Sequence, residues 1–389
     1  MDPKGYHKGY VFSAACIGML LFGMTMISLG SILPEVSGKF GLNEVEKGFL
    51  LTLLPIGILM GSLLFGPLAD WLSYKRILIF GCFFTLLGLQ GIVFSKSLIF
   101  MQLSVLCIGF GGGVLNGITN ALVSEISEED HSANLSLLGI FYGVGALGTP
   151  VLLGALEGRY SFEAIFAIFG VCIAIFLFLL FWVRFPKSDG TNGIPIKQGL
   201  AMLKDPVLLL FGFILFFQSG MEGLTSNWTT TYLETVKQLE SSQALFALSS
   251  FVGALTVARL ILGRILRVFD PLKVMVIGFG IAFIGVLCIR YGGTYGMLMT
   301  GMLLLGVGLA AGFPVILGYI GQLYTQLSGT AFSIVITISL IGNVIANYAM
   351  GQVSQLLGTA VLPYFLLASV SAGLVLIYAT KKKYQNIIP

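Results

Sequence analysis

Three pairs of polar side chains stand four residues apart in stretches that are otherwise apolar: Asn116 with Asn120, Gln218 with Glu222, and Asn343 with Asn347. Residues four apart share one face of a helix, so each pair could present its amide or carboxylate groups together to the hydroxyls of a ligand. Tyr142, Asn227 and Trp228 are further candidates, the tryptophan by stacking on an apolar ring face. The plainer reading of the amides is hydrogen bonding between helices, and of Trp228 an anchor at a membrane interface. Catalytic chemistry finds no support. The two histidines, His7 and His131, form no H-E-x-x-H pair, and no nucleophile–histidine constellation is present. The five cysteines, Cys16, Cys82, Cys107, Cys172 and Cys288, are odd in number and widely spaced in apolar runs, which suggests neither a disulfide framework nor a metal cluster. No phosphate-cradling Walker loop appears, so direct use of ATP is not expected. The chain reads as no enzyme, with no cofactor and no metal.

The elements that must position these residues follow from composition. Hydrophobic residues make up 57% of the 389 and charged residues only 10%, too little polar surface to cover a water-soluble globule. Apolar runs of about 18–25 residues recur from end to end, each long enough to cross a hydrocarbon core about 30 Å thick as a helix. They lack the polar–apolar alternation of a membrane barrel. Twelve spans are expected, near 9–33, 45–69, 76–94, 98–125, 132–156, 161–183, 206–234, 242–264, 272–290, 295–322, 328–353 and 359–379. Pro150 and Pro314 fall inside spans and should loosen them locally. Glu222 lies about 16 residues beyond Pro206, hence roughly 24 Å along the seventh span. A carboxylate there costs at least about 2.5 kcal/mol on insertion scales, which makes it a functional candidate unless a neighbouring helix pairs it structurally.

Of the 21 Lys and Arg residues, fifteen fall on the N-terminus, the loops after even-numbered spans and the tail, and six on the other face. Both termini are therefore expected in the cytoplasm. The longest polar break, residues 185–205, separates residues 1–184 from 206–389 and reads as a linker between two six-helix halves. Shifting the second half by 197 residues superposes Gly23 on Gly220, Gly66 on Gly263, Gly109 on Gly306, Gly111 on Gly308, Gly145 on Gly342 and Gly154 on Gly351, and Arg76 on Lys273. Repeats of this kind in a membrane protein point to a carrier whose site lies between repeats near the midplane.

Between the second and third spans stands Gly66-Pro67-Leu68-Ala69-Asp70-Trp71-Leu72-Ser73-Tyr74-Lys75-Arg76. Here the chain resembles the major facilitator superfamily, whose loop signature is similar to G-x-L-A-D-x-x-G-x-K-R. It keeps Gly66, Leu68, Ala69, Asp70, Lys75 and Arg76 and departs at Trp71 and Ser73. The resemblance implies an all-α membrane fold of twelve helices in two six-helix bundles related by a pseudo-two-fold axis, an architecture described for that superfamily. It also implies gating roles for Gly66, Asp70, Lys75, Arg76 and Arg259. A closer resemblance, to the fucose permease-like sugar transporters, rests on Val257-Ala258-Arg259 through Gly263-Arg264, on Phe269-Asp270-Pro271-Leu272-Lys273-Val274, on Leu115-Asn116 with Asn120, and on Tyr142 through Pro150. Where those symporters carry acids on the first and fourth helices, this chain has Gly30 or Ser31 and Asn116. That leaves Glu222 as the candidate for proton coupling, since burial in low dielectric favours a carboxyl group's protonated form.

The resulting expectation is a secondary carrier in the cell membrane for a small hydroxylated solute, a sugar by resemblance, working as a facilitator or proton symporter. The substrate site would draw on Asn116, Asn120, Tyr142, Gln218, Glu222, Asn227, Trp228, Asn343 and Asn347. A monomer in the lipid bilayer is expected, with no nucleic-acid partner. Drug or amphiphile export competes with this reading, since Met and Phe are plentiful. A membrane sensor is a reading of another class, and no appended cytoplasmic domain supports it.

Overall fold

The structure is a computed structural model that describes residues 6–127, 131–186, 202–324 and 327–384. The expected linker residues 187–201 and the acidic Glu128, Glu129 and Asp130 lie outside the described residues. Fourteen helices are formed by the described residues. They are α1 (Lys8–Ser31), α2 (Leu33–Phe40), α3 (Glu44–Trp71), α4 (Tyr74–Val93), α5 (Leu98–Ile126), α6 (His131–Leu156), α7 (Phe162–Leu180), α8 (Pro206–Thr235), α9 (Ser241–Ile265), α10 (Pro271–Tyr291), α11 (Tyr295–Leu309), α12 (Gly312–Leu323), α13 (Ser328–Leu357) and α14 (Leu362–Tyr384). Twelve stretches of them are long and apolar enough to span a membrane, and their limits fall within a few residues of those read from hydropathy.

The extra helices come from prolines. Pro34 stands in the first turn of α2, and α1 ends three residues before it. In the tenth span, helix geometry stops at Leu309 and resumes at Gly312. The ring of Pro314 cannot donate a hydrogen bond to the carbonyl of Ala310, four residues back, and would clash with it, so the chain turns out of the helix there. Pro150 has no such effect, and α6 runs through it unbroken.

Contacts divide the chain into two compact units, residues 1–42 with 53–193 and residues 43–52 with 194–389. The opening turns of α3, read from sequence as part of the first half, thus group with the second unit: the Glu44 N–H donates to Gln355 Oε1, and Gly48 packs on Gly351 of α13.

Within each unit the same helix pairs meet. In the first, α1 packs on α6, α4 on α5 and α4 on α7; in the second, α8 packs on α13, α10 on α11 and α10 on α14. The correspondence reaches individual atoms. A Cβ at Gly88 would lie 2.6 Å from Ser104 O and Ile108 N, and one at Gly285 would lie 2.8 Å from Gly301 O and Leu305 N, each partner displaced by 197. Gly109 rests on the carbonyl of Leu54, and Gly306 on that of Phe251. Even the caps repeat, with Ser97 Oγ accepting from Phe100 N and Thr294 Oγ1 from Met297 N, both at 3.3 Å. Close backbone approach through small residues is the main attraction available to helices in lipid, where water no longer drives apolar surfaces together. The register at 197 is therefore a packing register.

Candidate functional site

The polar side chains gather most densely in the second unit, on α8. Asp205 starts that helix by accepting from Val207 N at 2.8 Å and Leu208 N at 3.3 Å, with Pro206 in its first turn. Three turns on, Gln218 and Glu222 come onto one face, and the Gln218 amide donates to Glu222 Oε1 at 3.0 Å. The same carboxylate oxygen accepts from Arg259 Nη2 of α9 at 2.9 Å, forming an ion pair whose side chains are about a quarter and a fifth exposed. Gln218 also donates to the carbonyl of Leu309, the last residue before the proline break in the tenth span. One amide thus ties the carboxylate to the end of α11, where a helix leaves carbonyls unsatisfied. Gln218 Oε1 and Arg259 Nε remain buried without a hydrogen-bond partner in the protein. Such groups inside a low-dielectric interior are strong places for a ligand or water to bond.

A second cluster lies further along α8. Asn347 of α13 is fully buried and accepts at Oδ1 from Asn227 Nδ2 (3.2 Å) and from the Trp228 indole N–H (3.1 Å), while its Nδ2 donates to Asn343 Oδ1 at 2.7 Å. Gly223 makes room for the Asn343 side chain where α8 and α13 approach. The expected interfacial role of Trp228 does not hold, because the ring is wholly buried and its N–H is committed to Asn347. Nor does the ring offer a free face for stacking.

In the first unit, Asn116 and Asn120 do share a face of α5, half-buried, and Asn120 Nδ2 donates to both the backbone carbonyl (2.8 Å) and Oδ1 (3.1 Å) of Asn116. Tyr142 on α6 lies tilted against Phe22, with ring centroids 5.5 Å apart. Of the residues expected at a gate, Lys75 clamps the end of α7 by donating to the carbonyls of Phe181 (2.7 Å) and Val183 (3.0 Å), a cation at a helix C-terminus. Arg76 is exposed. The surroundings of Gly66 and of the Asp70 side chain lie outside what the structure describes. Arg259 is drawn into the ion pair inside the bundle.

Sequence reasoning weighed Glu222 and Arg259 separately and did not join them. The signal was available, since each is a charge inside an apolar run, and a charge so placed needs a partner. The bond from Gln218 to Leu309 had no sequence signal beyond Pro314.

The comparisons with known proteins agree with this architecture. The sequence model of the Major Facilitator Superfamily matches residues 15–289. The chain belongs to that superfamily. Among its relatives, the glucose/mannose transporter GlcP of Bacillus subtilis (strain 168) is 21% identical over 361 residues, covering 89% of this chain and 87% of GlcP. The probable nitrate transporter NarT of Staphylococcus haemolyticus (strain JCSC1435) is 24% identical over 394 residues, covering 97% and 98%. The crystal structure of a D-xylose–proton symporter superposes with a TM-score of 0.80 at 14% identity, covering 96% of this chain and 98% of that one, a likeness of fold. The chain is therefore a multi-pass membrane transporter and not an enzyme.

The hydrogen bonds around Asn347 make a direct prediction. Asn347→Ala should leave the Trp228 N–H and the Asn227 amide unpaired in a buried place, at about 1–3 kcal/mol for each lost partner. Thermal unfolding of the purified variant in detergent should begin several degrees lower. A melting curve identical to that of the parent would mean that Asn347 carries none of this load.

Proposed function

We propose that this transporter is a secondary carrier for a small hydroxylated solute, a sugar or close analogue, and that Gln218, Glu222 and Arg259 form the polar core of its recognition. The observation that carries the reading is the pair of unbonded buried atoms, Gln218 Oε1 and Arg259 Nε, on the two side chains that bond the Glu222 carboxylate. An acceptor, a donor and a carboxylate together suit the alternating O–H donors and lone pairs of a polyol. Asn227, Asn343 and Asn347 belong to the same proposed set, with Trp228 bonded to Asn347, and Asn116, Asn120 and Tyr142 are proposed as the substrate-binding residues of the first unit. The likeness to a glucose/mannose transporter and the shared fold with a xylose symporter support the solute class. Transport of an inorganic anion, as the NarT likeness would suggest, fits less well, because Glu222 already neutralises Arg259.

Glu222 is also the proposed coupling group. A proton placed on it would cancel the charge that holds Arg259 and free the guanidinium, so protonation and the geometry of the cluster are linked. The carrier is proposed to act as a monomer in the cell membrane with both termini in the cytoplasm, on the fifteen-to-six division of its Lys and Arg residues.

Two measurements bear on this reading. In proteoliposomes screened with labelled sugars, an inward proton gradient should drive accumulation by the parent protein. Glu222→Gln should lose that accumulation yet keep exchange of labelled for unlabelled sugar, since exchange needs no net proton release. Absence of gradient-driven uptake in the parent would remove the coupling role and leave a facilitator, and absence of any sugar exchange would remove the solute class. A C-terminal alkaline phosphatase fusion, active only outside the cytoplasm, should give no signal; a strong signal would reverse the orientation.

A further inference from the structure

The two halves share a packing register, and one place where they part company is a groove on the second unit. Helices α9, α10 and the end of α11 line an apolar groove, open on one side, of about 690 Å³. The positions that shape it have counterparts 197 residues earlier, and there the space is filled. In the first unit Phe80, Phe84 and Phe110 form a mutual aromatic cluster, with centroids 4.7 Å (Phe80–Phe84), 4.9 Å (Phe84–Phe110) and 5.9 Å (Phe80–Phe110) apart. Their counterparts are Ile277, Ile281 and Val307, all of which line the groove. The residues along the facing helix differ as well. Gly57 and Gly61 let α3 lie against the backbone of α5 at Leu106 and Phe110, whereas their counterparts Ala254 and Ala258 line the open groove. Ile277, Ile281 and Val307 fill less space than the three phenylalanines, and a groove results in an otherwise duplicated frame.

The groove does not end in the apolar region. Asp270 and Lys273 line it at the start of α10, next to Val268 and Phe269, which are 78% and 61% exposed. Asp270 Oδ1 caps α10 by accepting from Lys273 N at 3.0 Å, and Lys273 itself is exposed. Arg264 stands in the last turn of α9 and Arg267 in the short turn that follows, so the chain around this end holds three bases against one acid, of which Lys273 and Asp270 line the groove. A slot that is apolar along its length and basic at one end complements an acyl chain joined to a phosphate.

We propose that this groove holds one acyl chain of an anionic phospholipid, with the lipid phosphate on Lys273. The chain completes the second unit as the three phenylalanines complete the first. It also packs on Ala310 and Ala311, the unwound turn of the tenth span, whose preceding carbonyl at Leu309 is held by Gln218. The lipid therefore backs α9, the helix that carries Arg259.

Native mass spectrometry of the delipidated full chain, titrated with dioleoylphosphatidylglycerol and separately with dioleoylphosphatidylcholine, tests this. The parent protein should retain one phosphatidylglycerol in preference to phosphatidylcholine. Joint replacement Ile277→Phe, Ile281→Phe and Val307→Phe, which rebuilds the first unit's cluster, should weaken that binding at least tenfold. Lys273→Gln should abolish the preference for the anionic lipid while leaving weak binding of both. Should the triple variant fail to fold, Val307→Phe alone reads the same competition for space. Equal retention of phosphatidylglycerol by the parent and the folded phenylalanine variant would overturn the proposal. So would a parent that binds both lipids alike, or a groove occupied by a second copy of the chain, seen as a dimer that the phenylalanines dissociate.

Discussion

An ionised carboxylate cannot be left unaccompanied where water is excluded, and much of the second unit is arranged around how Glu222 is met. Arg259 approaches from α9, Gln218 from one turn earlier on α8, and Gln218 in turn fastens the loosened end of α11. Helix α8 thus has its position fixed against α9 and α11 by one connected set of bonds. It is fixed against α13 by another, centred on Asn347. Apolar contact is a poor guide to register between helices in lipid, because the surroundings are as apolar as the helices; hydrogen bonds and close backbone approach carry the information instead.

The duplicated frame makes clear what the second unit has added. The counterparts of Glu222 and Arg259 in the first unit are Thr25 and Ser62, and that of Gln218 is Leu21. Thr25 returns its hydroxyl to the carbonyl of Phe22 on its own helix, 2.6 Å away. The first unit therefore uses the same backbone register with neutral side chains, Ser62 donating across to the Gly113 carbonyl at 3.5 Å, and its polar pair, Asn116 with Asn120, is bonded along one helix. The ion pair of Glu222 with Arg259 has no equivalent at Thr25 and Ser62. The open groove between α9, α10 and α11 likewise belongs to the second unit.

The fold was legible because each of its signals is strong and local. Length and hydropathy defined all twelve spans, and glycine spacing defined the repeat, since a glycine at a close helix contact can be replaced only at the expense of the contact. The division of the tenth span was half legible: Pro314 marks it, but the turn falls four residues earlier, at the carbonyl the ring displaces. The candidate residues could be named from the sequence, but the bonds between them could not. Nothing in the spacing of Trp228 distinguishes a ring facing lipid from one facing Asn347, because the partner lies 119 positions away. The pairing of Glu222 with Arg259 spans 37 positions and two helices, and only the rotation of α9 about its axis decides it. The departure of residues 43–52 from the first unit had no sequence signal, since Gly48 and Gly351 meet through backbone alone.

The central claim is that Glu222 and Arg259 act as one unit within the second half. A double-mutant cycle on thermal stability, using Glu222→Gln, Arg259→Gln and the two together in the purified protein, isolates their interaction from everything else each side chain does. The account predicts that each single change lowers the melting temperature, because each strands a charge inside the bundle, and that the double change restores most of the loss, with a coupling energy of about 1–3 kcal/mol. Strictly additive losses, with the double variant the least stable of all, would contradict it.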